Sequence, residues 1–306
     1  MRHLLAGIDE AGYGPIMGPL LVSCVAFSVP EDEVLLELRD QWKTWGLRVG
    51  DSKEVYSQGG LEALERTILP FMALEGGIPG TLRELLLRLG AGVEEWGEYP
   101  WYLGEGPSLP WCLELDEVEA LTRTLRASLM NGKVSLLAWR SRPVYVLEFN
   151  RRVQRGNKGW LLAHMVGQLL RWAGTRGEGS SMDHVDCDRL GGRKFYGELL
   201  QYCFCVKPKI QEETMKRSSY VMDLEDRRLT VSFAVDADKR SVAVGLASMM
   251  CKYLRELHMN MINAYWRERF PGLMHTAGYP VDGQRFLDEL GAEMTEEIRR
   301  LLVRSR

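Results

Sequence analysis

Residues 4–27 read LLAGIDEAGYGPIMGPLLVSCVAF. An apolar run ends in Asp9-Glu10, a turn follows with glycines at Gly12, Gly14 and Gly18 and prolines at Pro15 and Pro19, and a second apolar run extends from Leu20 to Phe27. The pattern predicts two strands with a carboxylate pair where they meet. Neighbouring side chains on a strand face opposite ways, so Asp9 and Glu10 serve one site only if the chain leaves strand geometry near Glu10. The glycines supply that departure. Two carboxylates at a strand end suit a hard divalent cation, which takes oxygen ligands.

A chain of 306 residues can bury a full core as one large domain or two ordinary ones. Its 45% hydrophobic content and nine tryptophans exclude a disordered protein. The formal charge of −3 gives no global basic field, so a nucleic acid would need a local groove. Six cysteines are scattered, and the close pair Cys203 and Cys205 has neither zinc-site nor thioredoxin spacing. They read as reduced cytosolic thiols. No apolar stretch reaches the roughly 18 residues of a membrane span, and the acids at Asp9 and Glu10 interrupt any signal-peptide pattern. The expectation is a soluble, cytoplasmic protein with no membrane partner.

Beyond the opening, Glu31–Gly46 has helical spacing, and Asp51, Ser52 and Lys53 form a loop ahead of a helix over Leu61–Leu69, where Asp51 or Ser52 would serve as a helix cap. From 75 to 135 the composition shifts, at first to glycines, prolines and exposed-looking aromatics, which reads as an insertion or small subdomain within a main domain of 1–74 and 136–306. Its aromatics are candidates for stacking on bases or for local packing. Val144-Tyr145-Val146-Leu147 is strand-like. Arg140, Arg142, Arg151, Arg152, Arg155 and Lys158 surround the single acid Glu148, a stretch that either binds a phosphate backbone or is a solvated face. A loop is expected at 174–181 after an apolar helix, Trp160–Trp172.

Residues 182–188, MDHVDCD, alternate as a strand, with Met182, His184, Asp186 and Asp188 on one face. Either Asp186 or Asp188 is placed to add a carboxylate. After a strand at Leu229–Val235, a long helix from about Asp238 is apolar nearly all round except for a stripe of Ser241, Gly245, Ser248, Lys252, Arg255 and Glu256. The small residues admit a close neighbour or a ligand. Lys252 and Glu256 stand one turn apart.

Taken in order, GIDEAGYGPIMGPLLVS at 7–23, Asp51-Ser52-Lys53, VDCDRLG at 185–191, SVAVGLASMMCKYLRE at 241–256 and HTAGYP at 275–280 resemble the motifs of ribonuclease HII. The resemblance implies an α/β, ribonuclease H-like mixed central sheet flanked by helices, with the 75–135 segment inserted. It implies a four-carboxylate site of Asp9, Glu10, Asp186 and Glu256 holding two Mg²⁺ or Mn²⁺ ions, and it favours Asp186 over Asp188. Lys53, Lys252 and Arg255 would hold phosphate, Tyr279 would lie against a sugar, and Gly12 and Gly14 would admit a ribose, whose 2′-hydroxyl marks RNA. The implied activity is metal-dependent cleavage at ribonucleotides in RNA/DNA hybrids or ribonucleotide-containing duplexes. The chain departs from the family at Glu256, where an aspartate is usual, at Tyr13, where an arginine is usual, and in the long segment between Lys53 and Val185. Tyr13 and the insertion also motivate a nuclease of the same fold acting on structured RNA or branched DNA. A binder without catalysis has no use for clustered negative charge that repels phosphate.

Overall fold

The computed structural model describes residues 2–31, 33–177, 183–225 and 227–305. Met182 and residues 178–181 of the expected loop lie outside the described residues. The two opening runs form β1 (His3–Ala11) and β2 (Leu20–Val29). They join β3 (Ser135–Val144), β4 (Asp183–Asp188), β5 (Lys209–Glu213), β6 (Arg217–Asp223) and β7 (Arg228–Ala234) in a seven-stranded sheet of order β3-β2-β1-β4-β7-β6-β5. β1, β4 and β7 are parallel neighbours and the remaining pairs are antiparallel. The carboxyl ends of three adjacent strands therefore open onto one crevice, the usual ligand position in sheets of this kind.

Among the described residues ten α-helices accompany the sheet: α1 (Glu33–Thr44), α2 (Ser52–Met72), α3 (Leu82–Arg88), α4 (Leu115–Asn131), α5 (Val146–Gln154), α6 (Lys158–Gly174), α7 (Gly197–Phe204), α8 (Val242–Arg269), α9 (Pro280–Leu290) and α10 (Glu296–Leu302). Alternation assigns the faces. Leu4, Ala6 and Ile8 of β1 and Leu20, Val22, Cys24 and Ala26 of β2 pack with Leu162, Met165, Val166 and Leu169 of α6. Leu5 of β1 and Leu21, Val25 and Phe27 of β2 pack on the other face with Leu64 and Ile68 of α2 and Leu246, Met250 and Leu254 of α8. The fold is a mixed α/β sheet flanked by helices. Among the described residues no helix is long and apolar enough to cross a membrane.

Two local expectations are corrected. The strand expected at Val144–Leu147 ends at Val144, and Val146 begins α5, which buries Val146 and Phe149 at helical spacing. The aromatics after Glu75 are mostly core. Trp96, Tyr99, Trp101 and Tyr102 are buried, with Tyr102 5.2 Å from His258 and Trp101 6.4 Å from Trp266, both on α8. The same segment is tied down by the fully buried Glu65 carboxylate, which accepts from the Trp111, Cys112 and Leu113 amides at 2.7, 2.6 and 3.0 Å. Leu82, Leu85, Leu86, Val118 and Leu125 join the α8 core layer.

One contact sets how close α8 lies to the sheet. A Cβ on Gly7 of β1 would sit 2.1 Å from the Val244 amide nitrogen of α8, so only hydrogen fits between the two backbones. Gly7→Ala must push α8 outward, and overpacking of this kind costs about 3 kcal/mol. A urea titration is expected to show that loss as a lower midpoint at unchanged slope.

Candidate active site

The crevice is lined by Asp9, Glu10, Gly12, Tyr13, Gly14, Asp51, Ser52, Lys53, Asp188, Asp236, Asp238, Ser248, Lys252, Arg255 and Tyr279, around a cavity of about 340 Å³. Each contributor arrives for a local reason. β1 continues to Ala11, beyond the exit expected near Glu10, and the crevice takes both acids because it wraps around the strand's end. Asp51 caps α2, its Oδ1 accepting from the Lys53 amide at 2.9 Å and the Glu54 amide at 3.3 Å, and this sets Lys53 in the first turn. Asp236 and Asp238 follow β7, with Asp236 in the left-handed region at φ 54°. Gly245 of α8 admits that turn and the Gly50 loop together: a Cβ there would be 3.0 Å from the Asp238 carbonyl oxygen and 3.1 Å from the Gly50 nitrogen. The small residue serves close approach of two other chain segments.

The carboxylates repel one another in a partly dry place. Burial, then Glu10 and Asp188, push the Asp9 carboxyl well up, against a lowering contact with Ser248. Burial and Asp188 push Glu10 up to about 7, with Lys53 opposing. Asp188 is raised chiefly by burial and stabilised by the amides of Ala237 and Arg189. Asp238 is raised to about 6 by burial, Asp51 and Asp188. One Glu10 oxygen, Oε2, is buried without a hydrogen-bond partner.

The expected third and fourth carboxylates lie elsewhere. β1 and β4 pair with Gly7 opposite Asp186 and Ile8 opposite Cys187, so the residue level with Asp9 is Asp188. Asp186 sits two residues back on the same face, its Oδ1 3.0 Å from His184 Nε2, in a separate cavity with Arg217 and Arg240. Glu256 is not among the residues that line the crevice, though its partner Lys252 is. Its Oε1 is 2.5 Å from Lys252 Nζ and its Oε2 accepts from the Tyr56 hydroxyl at 3.0 Å. The acids that do reach the crevice after β7 are Asp236 and Asp238. Their signal was available: they follow a strand end, as Asp9 and Glu10 do.

The remaining candidates divide. Gly12, Tyr13, Gly14, Lys53, Lys252 and Tyr279 line the crevice, and Tyr279 is 46% exposed. Arg255 touches it too, but its buried guanidinium is committed to the carbonyls of Met17, Pro19 and Ala277 at 3.2, 3.2 and 2.7 Å. A residue that sequence reasoning passed over does similar work. Arg304, buried near the chain's end, donates to the carbonyls of Gly12, Pro15 and Gly18. Two buried cations thus hold the 12–19 turn by its carbonyls, the partners that offset their desolvation. Tyr13 on that turn carries Lys158 Nζ over its ring at 4.5 Å.

The fold is a mixed α/β sheet with acids at the ends of its parallel strands and helices on both faces. Part of the chain is similar in sequence to ribonuclease HII. No family model matches. A ribonuclease HII of Gluconobacter oxydans is 37% identical over 73 residues, a match spanning 24% of this chain and 30% of that protein's length. The ribonuclease HII of Archaeoglobus fulgidus, solved in complex with PCNA, superposes with a TM-score of 0.46 at 15% identity, covering 99% of this chain and 94% of that one. The ribonuclease H2 of Pyrococcus horikoshii gives 0.43 at 14% identity, covering 98% and 97%.

The raised carboxyls make a pH prediction. Glu10 binds its proton more tightly folded than unfolded, so its contribution to stability is intact below its ordinary value of 4.5 and is lost as pH climbs through about 7. Glu10→Gln is therefore expected to gain thermal stability relative to wild type as pH rises from about 4.5 to 7, with Mg²⁺ narrowing the gap by binding the wild-type carboxylates. Melting curves at both pH values check it; a gap independent of pH contradicts it.

Proposed function

We propose that this protein is a metal-dependent endonuclease that hydrolyses phosphodiesters at ribonucleotides in RNA/DNA hybrids or ribonucleotide-containing DNA. The observation that carries the reading is the convergence of Asp9, Glu10, Asp188 and Asp238 at the ends of three parallel strands, with Lys53 and Lys252 on the rim of the same crevice. Acids alone would repel a phosphodiester. Acids with a hard cation between them attract one.

The donor chemistry fits Mg²⁺ or Mn²⁺: the acids are all oxygen donors, and Glu10 has a buried oxygen with no hydrogen-bond partner among the described residues. Among the described residues no three His, Cys, Asp or Glu side chains already stand as a ligand set around one point. The acids rest apart, as like charges do, and Asp9, Glu10, Asp188 and Asp238 are the residues that would hold the ion. A divalent ion there supplies Lewis acidity and lowers the pKa of an attacking water. The chain's own part is to bind and orient. Lys53 and Lys252 neutralise phosphate oxygens, Tyr279 offers its exposed ring to a sugar, and the backbone at Gly12 and Gly14 admits the ribose. Asp188 and Asp238 take the places that the resemblance gave to Asp186 and Glu256.

The test is cleavage of end-labelled all-DNA, hybrid and single-ribonucleotide duplexes with Mg²⁺, Mn²⁺ or chelator. Asp9→Asn, Asp188→Asn and Asp238→Asn are each expected to lower the rate by at least about a hundredfold, since each removes a donor for the ion, while Asp186→Asn and Glu256→Gln stay within about tenfold of wild type. Cutting confined to ribonucleotide-containing duplexes supports the substrate. Loss in Asp186→Asn with retention in Asp188→Asn would reverse the assignment of the third acid, and full activity of Asp9→Asn would end the nuclease reading.

A further inference from the structure

Residues 140–177 carry eight Lys and Arg against the single acid Glu148, in a chain whose net charge is −3. The fold gathers many of these cations along α6. Of its residues 158–174, only Lys158, Gly159, Trp160, His164, Gln168, Arg171 and Trp172 escape burial. Trp160, His164, Gln168 and Trp172 recur every fourth residue, so they form one exposed row along the helix, with Arg171 beside it.

The row begins at the crevice. Lys158 stands over the Tyr13 ring, and the Tyr13 hydroxyl is 3.8 Å from where a Gly159 Cβ would be. Trp160, 47% exposed, stacks on His164 at 5.4 Å and 15°, and its ring also lies against Gly156, where a Cβ would be 3.4 Å away. At the far end Arg140 and Arg176 lie against the Trp172 ring at 5.8 and 5.0 Å. A cavity of about 430 Å³ opens there between α6 and the Gly90–Glu95 segment, lined by Arg140, Arg142, Gln168 and Trp172. Glu94 and Glu95 line its opposite wall, where Glu95 is 3.8 Å from Arg151. Arg142 is held by Glu148 at 2.8 Å. Arg140 and Arg171 have no carboxylate within salt-bridge distance among the described residues, Arg171 facing instead the exposed Tyr202 ring at 5.9 Å.

We propose that the partly exposed row of α6 is a track for the nucleic-acid strand that leaves the crevice past Tyr13, with its phosphates on Lys158, Arg155, Arg171 and Arg140 and a sugar or unpaired base against the exposed part of the Trp160 ring. This rests on the nuclease reading and extends it to substrate length. From Trp160 to Trp172 the helix rises about 18 Å, or about five base-pair steps at ~3.4 Å each. Continuity with the crevice and the sign of the charge select a polyanion, and the alternation of ring and cation suits a strand with exposed π-faces and a phosphate backbone.

The experiment measures anisotropy of labelled RNA/DNA hybrids of about 24 and about 8 base pairs bound to Asp9→Asn protein, which keeps the substrate intact, at several salt concentrations. Trp160→Ala and Arg171→Glu are expected to weaken binding of the long hybrid about tenfold and of the short one less than twofold, and Arg171→Glu should flatten the salt dependence by about one phosphate contact. Trp160→Phe and Arg171→Lys should restore most of the loss, which a misfolded variant would not. In otherwise wild-type protein the same changes should raise KM for the long hybrid and leave kcat alone. Long-hybrid binding unchanged by either variant, or both lengths weakened equally, overturns the track, as does a chain that binds neither length. If length-dependent binding through α6 persists while no ribonucleotide-containing duplex is cut, the track stands and the nuclease reading falls.

Discussion

The approach of α8 to β1 at Gly7 is the constraint on which the site depends. With hydrogen in place of a side chain, the helix backbone rests on the strand backbone, and the helix's polar stripe is brought level with the strand's end. Ser248 then reaches the Ser52 hydroxyl at 3.0 Å, and Cys251 lies 3.4 Å from the Asp9 carbonyl oxygen. One turn earlier, Gly245 lets the loops before α2 and after β7 close against the same helix. Four chain segments far apart in sequence thereby present acids to one crevice. None of the acids makes that assembly favourable; the apolar layers on both sheet faces supply the free energy that holds like charges together.

The magnitude of that opposition is instructive. Keeping Glu10 ionised at neutral pH against a carboxyl displaced from 4.5 to about 7 costs on the order of 3 kcal/mol. A whole domain is stable by only about 5–15 kcal/mol, so such an expense has a use or is selected away. Lys53 opposes it in part, and the other cations near the cluster are engaged elsewhere. Lys252 is engaged by Glu256 and stacked at 4.2 Å on Tyr56, and Arg255 and Arg304 spend their donors on carbonyls of the 12–19 turn. Protein charge is thus arranged to build the crevice walls and to leave its acids unneutralised, a state that a divalent ion relieves and a salt bridge would destroy.

Local signals made much of this legible in the sequence. Alternation in residues 4–27 sorts the core faces residue by residue, Asp51 is recognisable as a cap, and the narrow stripe on α8 marks where something must come close. What the sequence could not decide was register. Asp186 and Asp188 share a face, and only the pairing of β1 with β4 puts Asp188 beside Asp9. Motif spacing pointed to Asp186, and tertiary pairing overrode it. Glu256 shows a related effect: its place in the stripe is real, and Lys252 one turn away and Tyr56 from α2 hold its carboxylate. Asp236 and Asp238 were passed over because they fall between a strand and a helix, although the end of a parallel strand is where ligand-binding side chains gather. The aromatics after Glu75 misled because glycine-rich surroundings suggest surface, whereas α8 supplies them with a core.

The departure at Tyr13 gains a physical sense from the same geometry. The arginine usual in the family the sequence resembles would put a cation on the turn itself. Here the turn carries a ring, and the cation comes to it from Lys158 at the start of α6, 4.5 Å above the ring plane's centre. Burial and Arg304 lower the Lys158 pKa. A desolvated ammonium over a tyrosine face is a stronger partner for that face than a hydrated one. The cation beside the turn thus comes from the first residue of α6. Because that helix also bears Trp160 and Arg171, whatever positions a strand along α6 also positions the cation beside the acids. On the proposed reading, contact near the acids and contact along α6 are properties of one rigid element.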